Sequence, residues 1–256
     1  MVANAFHYSV VEPGTENYRE YLALRHEVFC QELGWIDGSV VDAGGRGGVE
    51  TDQFDIHSVH VLCRHAATGE PVGCCRLILP GPNGLSVSRR YLIDCPPEAS
   101  SRVGEIGRLA IAKNLRTGRK SGEGFADLVW QNLSPGFTAT GEQQTAASLV
   151  ALGLYRELFR LAQIYGITHC YAAMRPTFAR LLRRVGVPFT AAGPVNAHVQ
   201  PERRPFVVAA KSVEFDLLMT GGMRTVPRGV GKESFSPGLC APALRNESLD
   251  GCEFVA

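Results

Sequence analysis

The order of the strand-like and helix-like runs is the feature that most constrains the fold. Three strand-like runs follow one another early in the chain with no long helix between them, at residues 58–64, 71–80 and 105–113. Later strand-like runs alternate with helices, at 148–165 (helix), 168–174 (strand), 176–185 (helix), and 187–190, 206–210 and 213–218 (strands). This order predicts one mixed α/β (α+β) sheet flanked by helices, whereas a doubly wound dinucleotide fold would alternate from its first strand.

The boundaries of the domain follow from composition along the chain. The spacing of apolar residues predicts a first helix over residues 16–34, and the turn at 67–70 predicts an antiparallel hairpin for the first two strands. Residues 37–49 are glycine-rich and read as a loop, and residues 114–147 read as an irregular insert with a short helix near 125–133. We therefore expect one domain over residues 1–220, followed by a loosely ordered, Pro/Gly/Ser-rich tail over 221–256.

The charge and cysteine content narrow the class of protein. The 26 basic and 25 acidic residues leave a net charge of +1, which does not favour a general nucleic-acid or membrane-surface binder. The N-terminal residues do not resemble a signal peptide, and apolar runs fall short of the ~20 residues that span a bilayer. The eight cysteines form no CxxC pair and no zinc-type spacing. We expect a cytoplasmic protein without a bound metal, in which Cys63, Cys74, Cys75 and Cys170 are buried thiols.

Several charged residues interrupt apolar patterns and therefore need partners. Arg25 lies on the apolar face of the first helix, and Arg76 lies inside the otherwise uncharged run PVGCCRLILP. The other members of this set are Asp52, Asp55, Glu105 and Arg108. Buried charges are usually paired, because an unpaired one costs several kcal/mol. Two interpretations stay open: a network that only ties a helix to the sheet, or a polar pocket for a ligand that resembles an amino acid.

The motifs resemble those of a known group of enzymes. The series Arg25-x-x-x-Phe29, Trp35, Glu50-x-Asp52-x-Phe54-Asp55, Arg76-Leu-Ile-Leu-Pro80 and Glu105-x-x-Arg108 resembles the motif set of LuxI-type acyl-homoserine-lactone synthases, which belong to the GNAT acyltransferase superfamily. The segment from Gly193 to Phe206 is more similar to N-acyl amino acid synthases and to acyltransferases associated with PEP-CTERM/exosortase systems. The resemblance covers roughly residues 18–112 and 148–210 and implies a GNAT fold, a mostly antiparallel sheet whose central strands splay apart.

The resemblance also implies roles for particular residues. The substrate-binding set for the amine would be Arg25, Phe29, Trp35, Asp52, Asp55 and Arg76. Glu105 and Arg108 would be catalytic and lie near the reacting centre. The acyl chain would enter on pantetheine between the strands at 105–112 and 168–174, as a thioester of acyl carrier protein or of CoA. That thioester would be a co-substrate, and no tightly bound cofactor is expected.

The chemistry of aminolysis agrees with this assignment. A thioester is attacked by a neutral amine, so a carboxylate must accept a proton, and Glu105 is the candidate base, with Asp52 as a possible relay. A backbone N–H of the 105–112 strand is a candidate oxyanion donor. Cys74 and Cys75 show no Cys/His catalytic signature, so we expect no covalent cysteine intermediate. Tyr155 and Tyr171 are candidate proton donors to the leaving thiolate, although buried core tyrosines are commoner.

Basic residues suggest two sites for the acyl donor. On the helix at 176–185, Arg180, Arg183 and Arg184 lie opposite the apolar stripe, and Arg116, Arg119 and Lys120 follow the central strand. An acidic carrier protein and its phosphopantetheine would suit this set, although an ordinary solvated face is the simpler interpretation. Residues 119–124 also match the R-x-x-G-x-G phosphate loop of acetyl-CoA-binding GNAT enzymes.

Three functions fit these observations. We expect an N-acyltransferase that moves a fatty-acyl group from acyl carrier protein, or CoA, to the amino group of an amino acid or related metabolite. The alternatives are an acyl-homoserine-lactone autoinducer synthase that uses S-adenosylmethionine, and a non-catalytic GNAT-like module that binds an acyl or amino-acid ligand. The sequence predicts neither the acyl-chain length, nor the acceptor, nor the oligomeric state.

Overall fold

A seven-stranded sheet forms the centre of the molecule. The computed structural model describes residues 5–36, 40–41, 48–116, 142–198 and 202–213. The strands are β1 (Phe6–Val11), β2 (Val40–Val41), β3 (Gly48–Val49), β4 (Ser58–His65), β5 (Pro71–Ile78), β6 (Val103–Ile111), β7 (His169–Met174), β8 (Thr190–Ala191) and β9 (Arg204–Ala209). The helices are α1 (Glu16–His26), α2 (Ser86–Arg90), α3 (Lys113–Arg116), α4 (Glu142–Ile164) and α5 (Pro176–Arg184). The sheet order is β1-β4-β5-β6-β7-β9-β8, and β2 pairs with β3 separately.

The pairing of the strands confirms the predicted fold class. Every neighbouring pair in the large sheet is antiparallel except β6 and β7, which run parallel. β4 and β5 form the predicted hairpin. The parallel pair needs a crossover, and α4 lies within that connection along the chain. The result is a mostly antiparallel mixed sheet with helices, as the sequence predicts.

The two central strands separate along their length. β6 and β7 pair only from Val103 to Glu105 and from His169 to Tyr171. Beyond Glu105, β6 continues its pairing with β5 as far as Ile111, and β7 continues its pairing with β9 as far as Met174. The sheet is therefore open between the carboxyl-terminal halves of β6 and β7. This opening, which we call the central cleft, matches the predicted splay.

Helices cover both faces of the sheet. α4 supplies Leu154, Leu158 and Phe159 to the larger hydrophobic cluster, and α1 supplies Tyr21 and Leu22 to a cluster on the other face. Side chains alternate along a strand, so Cys74 packs on the α1 side and Cys75 on the α4 side. Among the described helices, none is long and apolar enough to cross a membrane.

The structure corrects several predicted boundaries. β1 was not predicted, although Phe6, Tyr8 and Val10 alternate with the polar residues His7 and Ser9. The first helix is α-helical only to His26 and continues as a π-helical turn, Glu27–Glu32. Residues 40–41 and 48–49 form short strands inside the predicted loop, and 187–190 is largely irregular. The insert is shorter at both ends than predicted, because α3 covers 113–116 and α4 begins at Glu142. Residues 125–133, 214–218 and the tail lie outside the described residues.

Candidate active site

One loop brings the acidic residues to the arginines. The segment between β3 and β4 carries Glu50, Asp52 and Asp55, and it is held locally because Asp52 Oδ1 accepts from Phe54 N (2.9 Å) and Asp55 Oδ2 from Asp52 N (2.8 Å). The three arginines come from different elements: Arg25 from α1, Arg76 from β5 and Arg108 from β6. The loop therefore faces one helix and two central strands at the same time.

The six charged groups form a closed ring of ion pairs, which we call the ion-pair ring. Its members in order are Arg25, Glu50, Arg108, Asp52, Arg76 and Asp55. Two contacts are bidentate: Arg76 donates to both oxygens of Asp52 (2.7 and 2.6 Å), and Arg108 donates to both oxygens of Glu50 (2.9 and 3.0 Å). Positive and negative charges alternate around the ring, so three carboxylates neutralise three guanidinium groups.

The ring is largely shielded from water. The side chains of Arg25, Glu50 and Arg76 are at most 2% exposed, whereas those of Asp52 and Arg108 are 18% and 14% exposed. Burial alone would raise the pKa of Asp52, but the hydrogen bond from Arg76 and the charges of Arg76 and Arg108 hold that pKa well below its usual range. Burial is likewise outweighed at Asp55, whose pKa is lowered mainly by Arg25. These two carboxylates are therefore ionised at neutral pH, and Asp52 presents the ring's most exposed charge.

The partners of the arginines differ in one residue from those predicted. The sequence predicts that Asp52, Asp55 and Glu105 pair with the three arginines. The structure puts Glu50 in that third place: it pairs with Arg25 and Arg108, while Glu105 forms no ion pair with any residue that the structure describes. Glu50 lies two residues before Asp52 in the same loop, and this short spacing is the sequence signal that could have identified Glu50 as a partner of the arginines. The side chain of Glu105 instead accepts a hydrogen bond from Val87 N at the start of α2.

Glu105 is buried and lies outside the ion-pair ring. It is 7% exposed, it lies opposite Tyr171 at the last position where β6 pairs with β7, and its Oε2 accepts a hydrogen bond from Val87 N (2.8 Å) at the start of α2. Burial raises the pKa of Glu105 to about 7, although the Val87 hydrogen bond and the charges of Arg76 and Arg108 oppose that rise. A carboxylate with this pKa both accepts and returns a proton near neutral pH.

A bulge in β6 aims Arg108 at the loop. Cys74 pairs with Ala110 and Arg76 with Gly107, so one residue of β5 faces two of β6. Arg108 takes up the extra length with φ of +51°, a left-handed conformation that costs a non-glycine residue about 1–2 kcal/mol. The bidentate contact with Glu50 and the contact with Asp52 offset this strain and fix the side chain.

The two aromatic residues of the predicted amine pocket lie beside the ring. The Phe29 ring lies 5.8 Å from the guanidinium carbon of Arg108, and the Phe29 and Trp35 ring centroids are 6.3 Å apart. Trp35 is 41% exposed, and the guanidinium carbon of Arg203 lies 4.3 Å from its ring centroid. The structure thus brings the predicted substrate-binding residues together, and it adds Arg203, which the sequence did not single out.

Other candidate nucleophiles and proton donors are buried in the core. Burial raises the pKa of Cys74 to about 12 and that of Cys75 well above its usual value, so both remain thiols at neutral pH. Tyr155 packs against Phe159 in the core, and burial raises its pKa. Tyr171 lies opposite Glu105 at the closed end of the cleft, and burial also raises its pKa. The two cysteines are poor nucleophiles here, because the thiolate is the reactive form.

The residues predicted to bind the acyl carrier are partly described. On α5, Phe178, Leu181 and Leu182 are buried, whereas Arg180 and Arg183 are exposed and Arg184 is half-buried. Arg183 donates to the carbonyl of Phe189 (3.2 Å). The backbone of Arg116 belongs to α3, while Arg119, Lys120 and the phosphate-loop match at 119–124 lie outside the described residues.

Comparisons with known proteins agree with this geometry. Residues 24–122 match the acetyltransferase (GNAT) domain family. The acyl-homoserine-lactone synthase of Vibrio anguillarum is 25% identical over 187 residues, which are 72% of this chain and 80% of that protein. The acyl-homoserine-lactone synthase of Aeromonas salmonicida is 26% identical over 183 residues, 71% of this chain and 73% of that protein.

Solved structures show the same fold. The CoA-dependent acyl-homoserine lactone synthase BjaI superposes with a TM-score of 0.56 and 17% identity, covering 80% of this chain and 82% of BjaI. TofI superposes with a TM-score of 0.54 and 20% identity, covering 83% of this chain and 96% of TofI. The open central cleft, the GNAT-domain match and these relatives agree, and the chain is an acyltransferase with the GNAT fold that resembles the acyl-homoserine-lactone synthases.

Proposed function

We propose that this acyltransferase moves a fatty-acyl group from a thioester, carried by acyl carrier protein or CoA, to the amino group of an amino acid or related metabolite. The observation that carries the proposal is Glu105: a buried carboxyl group with a pKa of about 7 at the point where β6 and β7 separate. A thioester held between those strands would have its carbonyl carbon close to this carboxylate, which can accept the proton that the attacking amine must lose.

Direct attack by the amine fits the cleft better than a covalent enzyme intermediate. Cys74 and Cys75 are buried thiols on β5 with raised pKa values, so they are unsuited to forming an acyl-enzyme. Beyond Glu105, the edge of β6 that faces β7 has no strand partner in the described part of the chain. Its backbone N–H groups are candidates to stabilise the oxyanion of the tetrahedral intermediate.

The ion-pair ring would position the groups that contact the amine. We infer that Arg25, Asp55 and Arg76 act through other residues, because each is less than 9% exposed and is bound to ring partners. Asp52 and Arg108 are the ring members with surface left for a substrate, and Phe29 and Trp35 lie next to them. In this proposal Trp35 and Phe29 form an apolar wall, and Asp52 attracts the ammonium group before it is deprotonated.

The donor would dock on the arginines of α5. Arg180 and Arg183 are exposed on the face opposite the buried stripe of that helix, and α5 directly follows β7, one wall of the cleft. An acidic carrier protein bound there would present its pantetheine arm to the open edge. Arg184, Arg116, Arg119 and Lys120 are further candidates for the same contact.

A second candidate is an acyl-homoserine-lactone synthase that uses S-adenosylmethionine. It is favoured by the similarity to such synthases of Vibrio and Aeromonas over 71–72% of this chain. The two candidates share the acyl donor and the aminolysis step. They differ in the acceptor, and in the lactone ring that closes only when methylthioadenosine leaves.

Mass spectrometry of the products distinguishes the candidates. The purified chain is incubated with octanoyl-acyl carrier protein or octanoyl-CoA, together with either the twenty amino acids or S-adenosylmethionine. An N-octanoyl amino acid supports the first candidate, and octanoyl-homoserine lactone supports the second. In either case we expect Glu105→Gln to lower kcat/KM by roughly 10²–10⁴-fold, while Glu98→Gln, an exposed carboxyl group, serves as control. Equal activity of Glu105→Gln and the wild type would remove Glu105 from the mechanism.

A further inference from the structure

Three arginines from different elements lie near the beginning of β9. Arg90 ends α2, Arg175 follows the last residue of β7, and Arg203 precedes the first residue of β9. Since Met174 pairs with Arg204, Arg175 and Arg203 lie one position beyond the last pair of these strands. Within the described residues, none of the three side chains forms an ion pair with a carboxylate. We call this set the arginine cluster.

Arg203 is held in place by stacking rather than by an ion pair with a described carboxylate. Its guanidinium carbon lies 4.3 Å from the centroid of the Trp35 ring, so the planar group stacks on the indole. Trp35 contacts Phe29, which in turn contacts Arg108 of the ion-pair ring. Stacking occupies one face of the guanidinium group and leaves its N–H edge available.

The electrostatic surroundings of Arg203 are positive. Its partial burial, together with the charges of Arg108, Arg175 and Arg90, lowers the pKa of Arg203, although Tyr91 opposes this. Like charges held near each other in a partly buried place repel, and a bound anion would relieve that repulsion. Arg108 already has Glu50 and Asp52 as partners, so the uncompensated charge belongs to the arginine cluster.

We propose that Arg203, stacked on Trp35 and supported by Arg90 and Arg175, binds the carboxylate of the amine acceptor, so that the enzyme selects acceptors that carry a free carboxylate beside the reacting amine. This inference rests on the proposed function. Tyr91 packs in one cluster with Tyr171, which lies opposite Glu105, and with Val87, whose N–H donates to Glu105. The charges of Arg203 and Glu105 both act on Tyr91, so the anion site and the proton acceptor border the same side-chain cluster. The amino and carboxylate groups of an α-amino acid share one carbon, so an acceptor pocket needs an anion site near its proton acceptor.

The acceptor's carboxylate fits this place better than a phosphate of the donor. The phosphate of phosphopantetheine is at the opposite end of an extended arm from the thioester. A phosphate therefore lies far from the carbonyl carbon that the amine attacks. Arg203 instead acts on Tyr91, which packs against Val87, the residue that donates to Glu105 of the proposed reacting centre. Both amino acids and S-adenosylmethionine carry the required α-carboxylate, so the inference holds for either acceptor.

The test compares Michaelis constants for acceptor and donor. Arg203→Gln should raise KM for the acceptor roughly 10- to 100-fold, the usual range for loss of a charged hydrogen bond, and leave KM for octanoyl-CoA unchanged. Arg203→Lys should restore part of the lost affinity for the acceptor, because lysine keeps the positive charge but lacks the paired N–H donors of the guanidinium group. Arg160→Gln is the control, since Arg160 is exposed on α4 and, among the described residues, pairs with Glu157 alone. A decarboxylated acceptor should react poorly with the wild type and be unaffected by Arg203→Gln.

Several results would overturn the inference. A raised KM for octanoyl-CoA in Arg203→Gln would assign the arginine cluster to the phosphates of the donor. Unchanged KM values for both the acceptor and octanoyl-CoA would mean that the cluster binds neither substrate. Wild-type transfer to decarboxylated and carboxylate-bearing acceptors at equal kcat/KM would keep the proposed function and reject the inference. If no acceptor is acylated, calorimetry with N-octanoylglycine and its methyl ester still decides. Preference for the free acid that disappears in Arg203→Gln supports the site, and equal binding rejects it.

Discussion

The ion-pair ring and the arginine cluster use the same side chain in opposite ways. In the ring, Arg25, Arg76 and Arg108 pair with three carboxylates of one loop. Among the described residues, the buried guanidinium nitrogens of the ring that lack a hydrogen-bond partner are Arg25 Nη2 and Arg76 Nε. In the cluster, Arg203 stacks on Trp35, and the charges of Arg90 and Arg175 act on it. The ring lies on the β5–β6 side of the central cleft, and Arg175 and Arg203 lie at the ends of β7 and β9.

The difference teaches which arginines are available to a ligand. A buried guanidinium group that is already paired with carboxylates stabilises the fold, because removing its partner leaves an uncompensated charge. A guanidinium group that is held by stacking but not neutralised is stabilised only when an anion arrives. The predictions below separate the two by their effect on the free energy of unfolding: loss of a ring partner destabilises, and loss of a cluster member does not.

The largest effect should follow Glu50→Gln. This change removes the charge that neutralises Arg25 and Arg108 while it preserves the size of the side chain. Breaking a buried ion pair in this way typically costs roughly 3–5 kcal/mol. Urea denaturation should show that loss in the free energy of unfolding, with Glu98→Gln as the exposed control. A change below about 1 kcal/mol would mean that the ring contributes little to stability and is free to rearrange around a substrate.

A smaller effect on the free energy of unfolding should come from the ionisation of Glu105, a buried carboxylate that belongs to neither the ring nor the cluster. Its pKa is raised to about 7 in the folded chain and is near its ordinary value when unfolded, so the folded state holds this proton over a wider pH range. Its contribution to stability is therefore fully present below the unfolded pKa and is lost as the pH rises through about 7. A shift of this size corresponds to about 3 kcal/mol.

The measurement is the free energy of unfolding from pH 4 to pH 8 for the wild type and for Glu105→Gln. The wild type should lose stability relative to the variant as the pH rises, because the variant carries no proton at this position to lose. Activity should move in the other direction, since the ionised form is the base in the proposed mechanism. Parallel stability curves for the two proteins would show that Glu105 titrates normally.

The arginines of the ring are predictable from the sequence because a buried charge needs a partner of opposite charge. Arg25 and Arg76 interrupt apolar patterns at helical and strand spacing, so both were predicted to be buried and paired, and both are. The partner of Arg108 could not be chosen in the same way. Glu50 and Glu105 are both acidic and both near an element boundary, and the conformation of the 50–55 loop decides between them.

The arginine cluster was not visible from spacing. Arg203 and Arg204 are adjacent, and their side chains diverge: Arg203 stacks on Trp35, whereas Arg204 donates to the carbonyl of Gly193 (2.8 Å). Periodicity does not say which of two neighbouring arginines faces a cleft at the start of a strand. Arg90 and Arg175 come from other elements, and only the sheet order brings them near Arg203. Long-range convergence of this kind needs the folded chain.

Arg175→Gln should have the smallest effect on the free energy of unfolding, and it should stabilise the protein rather than destabilise it. Arg175 is exposed and adds repulsion to Arg203, so its removal relieves that repulsion without breaking an ion pair. Stability should rise by about 0.5 kcal/mol at low salt, and the gain should shrink as salt screens the charges. Arg160→Gln, which breaks an exposed pair with Glu157, should show no gain. A loss of stability in Arg175→Gln would mean that this arginine already has a partner, and the contrast between the ring and the cluster would then rest on Arg90 and Arg203 alone.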